Sequence, residues 1–375
     1  MCRTRPYSWR HPHLFPEHVT KRLTQGEEAM TRKRIVVFGA TGTLGLYTVD
    51  WLASNLSTEW EVIATGRRPV TFFESAYPDM VSYAQVNIDD ESTFASLPQE
   101  NVYAVVHFAG ALPAYMEGYD PRAYVRSNVM GTLNVLEYAR KSGAGRIIYT
   151  QTISDYDGYF GKQTELMDDM PRRVPFTGDH SVYAITKCAA EDICRNYEQE
   201  YGIAFFGLRL PNIYCYMPES KTLFHDGKPA TSSYRLMIKR ALEGLDLEVW
   251  GDPQKGMDLI YVKDFCQMVW RQLFADVDKS GMYNVGTGRM TSLDELVSTI
   301  IEVFAKDTST SKKVYRPEKH DCVNYFMNVD KARKNLGYEP QYGPRELFED
   351  YKREMELNRF AGFFSERYGD ASAYR

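Results

Sequence analysis

Through its first two-thirds the chain alternates short, continuously apolar runs with longer stretches whose apolar residues recur every three or four positions. RIVVFGA (34–40), EVIATG (61–66), VSYAQVN (81–87), YAVVHFAG (103–110), GRIIYTQT (145–152) and AFFGLRLPN (204–212) read as strands. LGLYTVDWLASNL (44–56), AYVRSNVMGTLNVLEYARKSG (123–143) and VYAITKCAAEDICRNYEQEYG (182–202) read as the helices between them. Strands apolar on both faces and separated by helices predict an α/β architecture, a doubly wound parallel sheet covered on both sides.

From about residue 213 the pattern becomes mixed. Helices are expected at LDELVSTIIEVFAK (293–306), at DKARKNLGYEP (330–340, ending at Gly337) and at PRELFEDYKREMELN (344–358). The expected organisation is a disordered N-terminal extension (1–30) and a dinucleotide-binding domain (31–212). A smaller mixed α/β C-terminal substrate domain (213–358), with segments returning to the first sheet, and a loose tail (359–375) complete it. The extension carries His11, His13 and His18 without Cys or acid partners at ligand spacing, so no metal site is expected. It also lacks the apolar centre of a secretory signal.

Composition narrows the function classes. A chain of 375 residues with 43% apolar and 25% charged residues is long and apolar enough for a large core. The net charge of −5 argues against nucleic acid or an anionic membrane as partner, and no apolar run is long enough to span a bilayer. The six cysteines (2, 188, 194, 215, 266, 322) form no C-x-x-C pair, which fits a reduced, cytoplasmic protein.

The first chemistry-bearing motif is FGATGTLG, placed between the first strand and the first helix. Gly39, Gly42 and Gly45 have the spacing of a dinucleotide turn. Gly39 permits the tight turn, Gly42 lets the backbone approach a pyrophosphate, and Gly45 lets the helix pack close to the sheet. The free N–H groups of the helix N-terminus then hold the phosphates. This motif makes the first domain a Rossmann unit with NAD or NADP as cofactor. The second strand ends in ATGRRP, with Arg67 and Arg68 where an NAD-preferring site carries an acid for the ribose hydroxyls. Arginine there pairs with a 2′-phosphate and favours NADP.

The second motif is HSVYAITKCAAE (180–191), which sets Tyr183 and Lys187 one helical turn apart. With 27 tyrosines, a Tyr-x-x-x-Lys match arises by chance, and Tyr315–Lys319 is one. That second match is interrupted by Pro317, which disrupts i,i+4 pairing, whereas 183–187 lies in an uninterrupted helical pattern. A hydride transfer at a carbinol carbon needs a proton to move on the oxygen. A tyrosine with pKa near ~10 is a poor base unless an ammonium and a positive nicotinamide ring favour its phenolate. Lys187 is the expected ammonium, and Thr152, at a strand end, an expected hydrogen-bond donor to the substrate oxygen. Ser154 is the alternative if the register differs by two.

These stretches together resemble the extended short-chain dehydrogenase/reductase family, in its NAD-dependent epimerase/dehydratase branch acting on nucleotide sugars. The resemblance covers about residues 33–355 and rests on GATGTLG, VVHFAG (105–110), SNVMGTLNVLEYAR (127–140), IIYTQT (147–152), YAITK (183–187), LRLPNIY (208–214), YNVGTG (283–288) and VDKARKNLGYEP (329–340). It implies that Gly39, Gly42, Thr43, Leu44 and Gly45 line the pyrophosphate and that Asn87 and Ile88 frame the adenine. It further implies that Phe108, Ala109 and Gly110 pass under the cofactor, and that Asn128 anchors the active-site backbone. Thr152, Tyr183 and Lys187 would be catalytic, Pro211 and Asn212 would reach from nicotinamide to substrate, and Arg316 would grip a diphosphate. A homodimer formed by the helices at 123–143 and 182–202 is also implied.

Three departures bear on the reaction. Thr152-Ile153-Ser154 lacks the Asp and Glu of the 4,6-dehydratases, which argues against dehydration. Met257 stands where the branch has an arginine before Asp258, leaving Lys255 as another candidate for the diphosphate. Leu112 replaces a lysine found in some epimerases. The expected function is an NAD(P)-dependent sugar epimerase, with nucleotide sugars as the expected substrate class, working through a transient ketone. The alternatives are an NADPH-dependent keto-sugar reductase and a non-catalytic cofactor-sensing protein.

Overall fold

The computed structural model describes residues 32–178, 180–218, 223–306 and 311–368. The N-terminal extension and the end of the tail lie outside the described residues.

Seven strands form one parallel sheet. They are β1 (Lys33–Phe38), β2 (Trp60–Gly66), β3 (Val81–Gln85), β4 (Val102–His107), β5 (Arg146–Thr152), β6 (Ala204–Leu210) and β7 (Gly281–Asn284). Their order is β7-β6-β5-β4-β1-β2-β3, with every pairing parallel. Ile35, Val36, Val37 and Phe38 of β1 are fully buried, because helices cover both faces of the central strand. Strand order reverses between β1 and β4. Ligands of such sheets bind outside the carboxyl ends of the strands at that point.

The helices are α1 (Thr43–Asn55), α2 (Phe72–Ala76), α3 (Pro121–Tyr124), α4 (Gly131–Lys141), α5 (His180–Tyr201), α6 (Ser233–Leu242), α7 (Val262–Leu273), α8 (Leu293–Phe304), α9 (Asp330–Leu336), α10 (Pro344–Leu357) and α11 (Ala361–Tyr368). The stretch expected as one regular helix over 123–143 is not regular: a π-helical segment, Val125–Met130, joins α3 to α4. Asp120 caps the start, its Oδ1 accepting from the Arg122 amide at 3.0 Å. α9 ends on Gly337, which takes a left-handed conformation with φ +62°.

The C-terminal part is not set apart from the sheet. Gly281–Asn284 becomes its seventh strand, beside β6. The rest includes a short parallel pair, Leu247–Trp250 with Lys313–Arg316, while α7 packs against α1 and β5 and α9 against β7.

The loose tail expected over 359–375 does not hold for its first part. Phe360, Phe363 and Phe364 are buried and carry α11 onto the first domain. Their i, i+3, i+4 spacing is that of an apolar helix face. A buried ionic cluster ties this region down. Lys263 Nζ meets Glu354 Oε1 at 2.9 Å and also pairs with Asp350, while Arg359 bonds Glu354 Oε2 at 2.6 Å and Asp50 Oδ2 at 2.5 Å. Asp50 belongs to α1, so the C-terminal segment is bonded directly to the helix that follows the glycine turn.

Candidate active site

The glycine turn is shaped by close backbone approach. Gly39 has φ +83°, and a Cβ there would lie 2.7 Å from the Ala109 amide nitrogen. A Cβ on Gly45 would lie 2.2 Å from the Gly39 carbonyl oxygen, so only glycine lets α1 start this near the turn. No side chain caps α1 and no acid lies in its first turn, leaving the N-terminal amides of Thr43 and Leu44 without a carboxylate competitor. These residues fit an anionic pyrophosphate. Met217 lies across this terminus, its sulfur accepting from the Thr43 hydroxyl at 2.7 Å. Phe108, Ala109 and Gly110 follow β4 next to the turn, the Phe108 amide bonding the Phe38 carbonyl at 2.9 Å.

Arg67 and Arg68 are exposed just after β2. Asn87 is held in a turn, its Oδ1 accepting from the Asp89 amide at 3.3 Å. Ile88 is buried against Gly131.

Thr152 is the last residue of β5, and its side chain lies near enough to the Tyr183 hydroxyl to lower that phenol's pKa. Two bonds fix α5 against β5: Tyr149 Oη donates to the Lys187 carbonyl at 3.0 Å, and Gln151 Nε2 donates to Glu191 Oε2 at 2.7 Å. Lys187 is buried, with its Nζ 4.0 Å from the centre of the Tyr149 ring.

Burial dominates the protonation states. It pushes the Tyr183 hydroxyl up to about 12, offset in part by the Thr152 hydrogen bond. It lowers the Lys187 ammonium to about 7, with Cys194, Cys188 and Glu191 acting the other way. The expected lowering of Tyr183 needs both the Lys187 ammonium and a positive nicotinamide ring; in the protein alone the group that lowers the phenol is Thr152. Buried His107, under the same site, is pushed down to about 3 by burial and then by the Lys187 charge. It is neutral near pH 7, and its Nε2 lies 3.0 Å from Thr132 Oγ1.

Asn128 sits inside the π segment, where the extra residue per turn re-aims side chains. Its carboxamide is fully used: Oδ1 accepts from the Ala111 amide at 2.8 Å, and Nδ2 donates to the Ala111 carbonyl and to Thr186 Oγ1, both at 3.2 Å. It thereby joins the chain after β4 to α5 beside Lys187.

Sequence reasoning missed the tie that shapes the loop after Thr152. Asp155 is fully buried and binds Arg209 of β6, with Nε 3.0 Å from each carboxylate oxygen. The Arg209 guanidinium also lies 3.9 Å from the centre of the Tyr156 ring. Asp155 is thus committed to structure. Asp157, half-buried nearby, is pushed up to about 6 by burial, against the pull of His180. His180 in turn stacks edge-on to Tyr183, with centroids 6.3 Å apart.

Pro211 is buried and Asn212 exposed just beyond β6. Arg316 is not brought to the Thr152–Tyr183 group by any contact seen here. It is surface-exposed and its Nε pairs with Glu248 Oε1 at 3.1 Å. Lys255 is likewise engaged, 2.5 Å from Asp321 Oδ2. Met257 lies in a short antiparallel pairing with Thr291. Asp258 is a buried knot, accepting from the Thr287 amide and hydroxyl and from the Gly288 and Met327 amides. Among the described residues no cluster of His, Cys, Asp and Glu is arranged to hold a metal, and no helix is long and apolar enough to cross a membrane.

A match to the NAD dependent epimerase/dehydratase family spans residues 35–286, from β1 to just beyond β7. The chain belongs to the NAD-dependent epimerase/dehydratase family. It is 26% identical to a UDP-glucose 4-epimerase of Rhizobium leguminosarum bv. trifolii, over 85% of this chain and 96% of that one. It is 25% identical to UDP-glucuronic acid decarboxylase 6 of Arabidopsis thaliana, over 88% and 91%. The fold is that of UDP-glucose 4-epimerase of Thermotoga maritima, solved with UDP-glucose (TM-score 0.66, 22% identity, 86% of this chain and 99% of that one). It is also that of UDP-glucuronic acid 4-epimerase of Bacillus cereus, solved with NAD (TM-score 0.63, 21% identity, 86% and 99%). Thr152 and the glycine turn lie at the carboxyl ends of β5 and β1 of the same sheet.

Proposed function

We propose that the protein is a nucleotide-sugar epimerase that inverts a carbinol carbon through a transient ketone. The observation carrying this reading is Tyr183 and buried Lys187 one turn apart on α5, which packs against β5 where that strand ends in Thr152. A bound nicotinamide dinucleotide supplies the hydride acceptor and donor. Tyr183 takes the proton from the sugar hydroxyl and returns it to the ketone oxygen. Thr152 donates its hydroxyl hydrogen to the substrate oxygen and orients it. With its pKa at about 12, Tyr183 needs further positive charge nearby before it ionises near neutral pH. A bound oxidised nicotinamide would supply that charge, with Lys187 one turn from Tyr183 on α5 as the protein's own cation nearby. Asn128 and the Asp155–Arg209 pair hold the surrounding backbone. The absence of free acids at Ile153 and Ser154, with Asp155 consumed by Arg209, speaks against water elimination.

A second reading, an NADPH-dependent keto-sugar reductase, is favoured by one observation: exposed Arg67 and Arg68 at the end of β2, in place of an acid. Mass spectrometry of small molecules released from the purified protein separates the two. Retained nicotinamide dinucleotide supports an enzyme that recycles its cofactor. Protein that emerges empty, and turns over only with a stoichiometric supply of NADPH, overturns the epimerase reading. Val125, Met130 and Ile185 are 48%, 50% and 41% exposed on the helical faces around 121–141 and α5, which supports pairing of two copies there.

A further inference from the structure

The C-terminal segment 359–368 lies beyond the family match at 35–286, yet it grips the elements that frame the glycine turn. Arg359 Nη1 donates to Asp50 Oδ2 of α1 at 2.5 Å. Phe360 packs edge-on to Tyr47 of α1 at 5.0 Å, and Phe363 lies against Phe72 and Phe73 of α2, with ring centroids 5.7 and 5.8 Å away. Glu366 holds the start of α2: Oε1 accepts from the Thr71 amide at 2.6 Å and from its hydroxyl at 2.9 Å, and Oε2 from the Phe72 amide at 3.0 Å. Arg367 reaches the turn itself, donating from Nη1 to the Thr41 carbonyl.

That last bond falls on one peptide unit. The trans peptide joining Thr41 to Gly42 is planar, so its C=O and N–H point opposite ways. The Gly42 N–H turns back to the Gly39 carbonyl at 2.9 Å, while the Thr41 carbonyl turns to Arg367. The Gly42 carbonyl in turn accepts an opening bond of α1, from the Leu46 amide at 2.9 Å. The orientation of this peptide therefore bears on where the amides of Thr43 and Leu44 point. A carbonyl swung toward that helix end would set a partial negative charge against a bound diphosphate, and a guanidinium drawing it away removes that repulsion. The Thr41 side chain is confined as well, since a Cβ on Gly66 would lie 2.6 Å from it.

We propose that the C-terminal segment is a clasp on the cofactor site, and that Arg367 is its positioning residue. Through the Thr41 carbonyl it holds the glycine turn in the form that binds the diphosphate of a dinucleotide, and so slows that dinucleotide's release. Arg367 acts on the backbone of the turn and needs no contact with the ligand. A clasp of this kind suits an enzyme that keeps its cofactor between turnovers. The inference rests on the reading that the glycine turn holds a nicotinamide dinucleotide, but not on epimerisation.

The test uses full-chain variants and NADH, whose fluorescence reports binding, with release timed by a chase of excess NAD. Arg367→Met keeps an unbranched stem beside Phe363 and removes the donor. It is expected to release NADH about tenfold faster, and to bind NADH and ADP-ribose, which keeps the diphosphate and lacks the nicotinamide, about tenfold more weakly. Arg367→Lys, which restores a donor, is expected to recover part of that loss. Glu366→Ala releases the start of α2 from α11 and is expected to speed NADH release too. Urea unfolding of the ligand-free proteins separates positioning from bulk stability: the Arg367→Met midpoint is expected to match wild type. Release at the wild-type rate in either Arg367→Met or Glu366→Ala overturns the proposal. So does faster release that Arg367→Lys fails to slow, or that comes with a lowered Arg367→Met midpoint. A wild type that binds no dinucleotide overturns the cofactor reading and this inference with it. A tenfold effect in a protein without epimerase activity upholds the clasp and counts against the epimerase reading alone.

Discussion

Lys187 is placed at a thermodynamic cost, and that cost has a pH signature. Lys187 is 8% exposed and its ammonium rests on the Tyr149 ring, a contact that offsets only part of the lost hydration. Burial moves its pKa from 10.5 to about 7. Below about pH 7 both the folded and the unfolded chain carry the proton, and the full cost is present. Between about 7 and 10.5 the unfolded chain still holds a proton that the folded chain has released, so stability rises with pH through that window. At 1.36 kcal/mol per pH unit, the full cost is on the order of 5 kcal/mol. Allowing for half-titration near 7, about 2 kcal/mol of it is recovered between pH 7 and 9. Lys187→Met removes the titration and keeps an unbranched apolar side chain. The variant is expected to be catalytically dead and yet more stable than wild type at pH 7. Its lead should shrink by about 2 kcal/mol by pH 9 in urea unfolding followed by tryptophan fluorescence. Taking the difference between the two proteins cancels groups that titrate in both, such as Asp264 with its pKa raised to about 7 by burial. A gap that stays constant from pH 7 to 9, or a variant that loses ground below pH 7, refutes the reasoning.

Other perturbations probe the scaffold. Gly45→Ala brings a Cβ to 2.2 Å from the Gly39 carbonyl oxygen and forces the turn open. Dinucleotide affinity, read by calorimetry, should fall at least about tenfold, and stability by about 1–3 kcal/mol; unchanged affinity would mean that the turn does not hold the cofactor. Arg209→Met strands the Asp155 carboxylate in the core and should cost about 3–5 kcal/mol in urea unfolding. A loss under about 1 kcal/mol would remove that pair from the account of the loop after Thr152. Asn128→Ala leaves both polar groups of Ala111 without this partner and should cost about 2–4 kcal/mol, with backbone exchange at 108–111 accelerated.

Much of the fold was legible because parallel strands buried on both faces are continuous apolar runs, and RIVVF, YAVVHF and RIIYTQ announce themselves. The glycine turn was legible because its spacing has a single steric purpose, visible in the approach of Gly45 to Gly39. What stayed hidden depends on distance along the chain or on subtle helix geometry. Asp155 and Arg209 meet across 54 residues, and nothing local in either segment marks the pair. The π segment at 125–130 adds one residue to a turn without breaking the apolar periodicity. α11 was readable in principle from Phe360, Phe363 and Phe364, but the polar residues on either side of that short run mask it. The one-turn spacing of Tyr183 and Lys187 was legible, and α5 carries both residues. Their electrostatics were not, because burial is the largest cause of each group's shift.

The central claim is that Tyr183 moves the proton while hydride leaves and re-enters the same sugar. It is tested most directly with a UDP-hexose carrying deuterium at C4, incubated with wild type and Tyr183→Phe and followed by NMR. The account predicts that wild type forms the 4-epimer with the deuterium retained on carbon, and that Tyr183→Phe is slower by at least about 100-fold while still binding dinucleotide. Deuterium lost to added cofactor, or a Tyr183→Phe variant as fast as wild type, contradicts it.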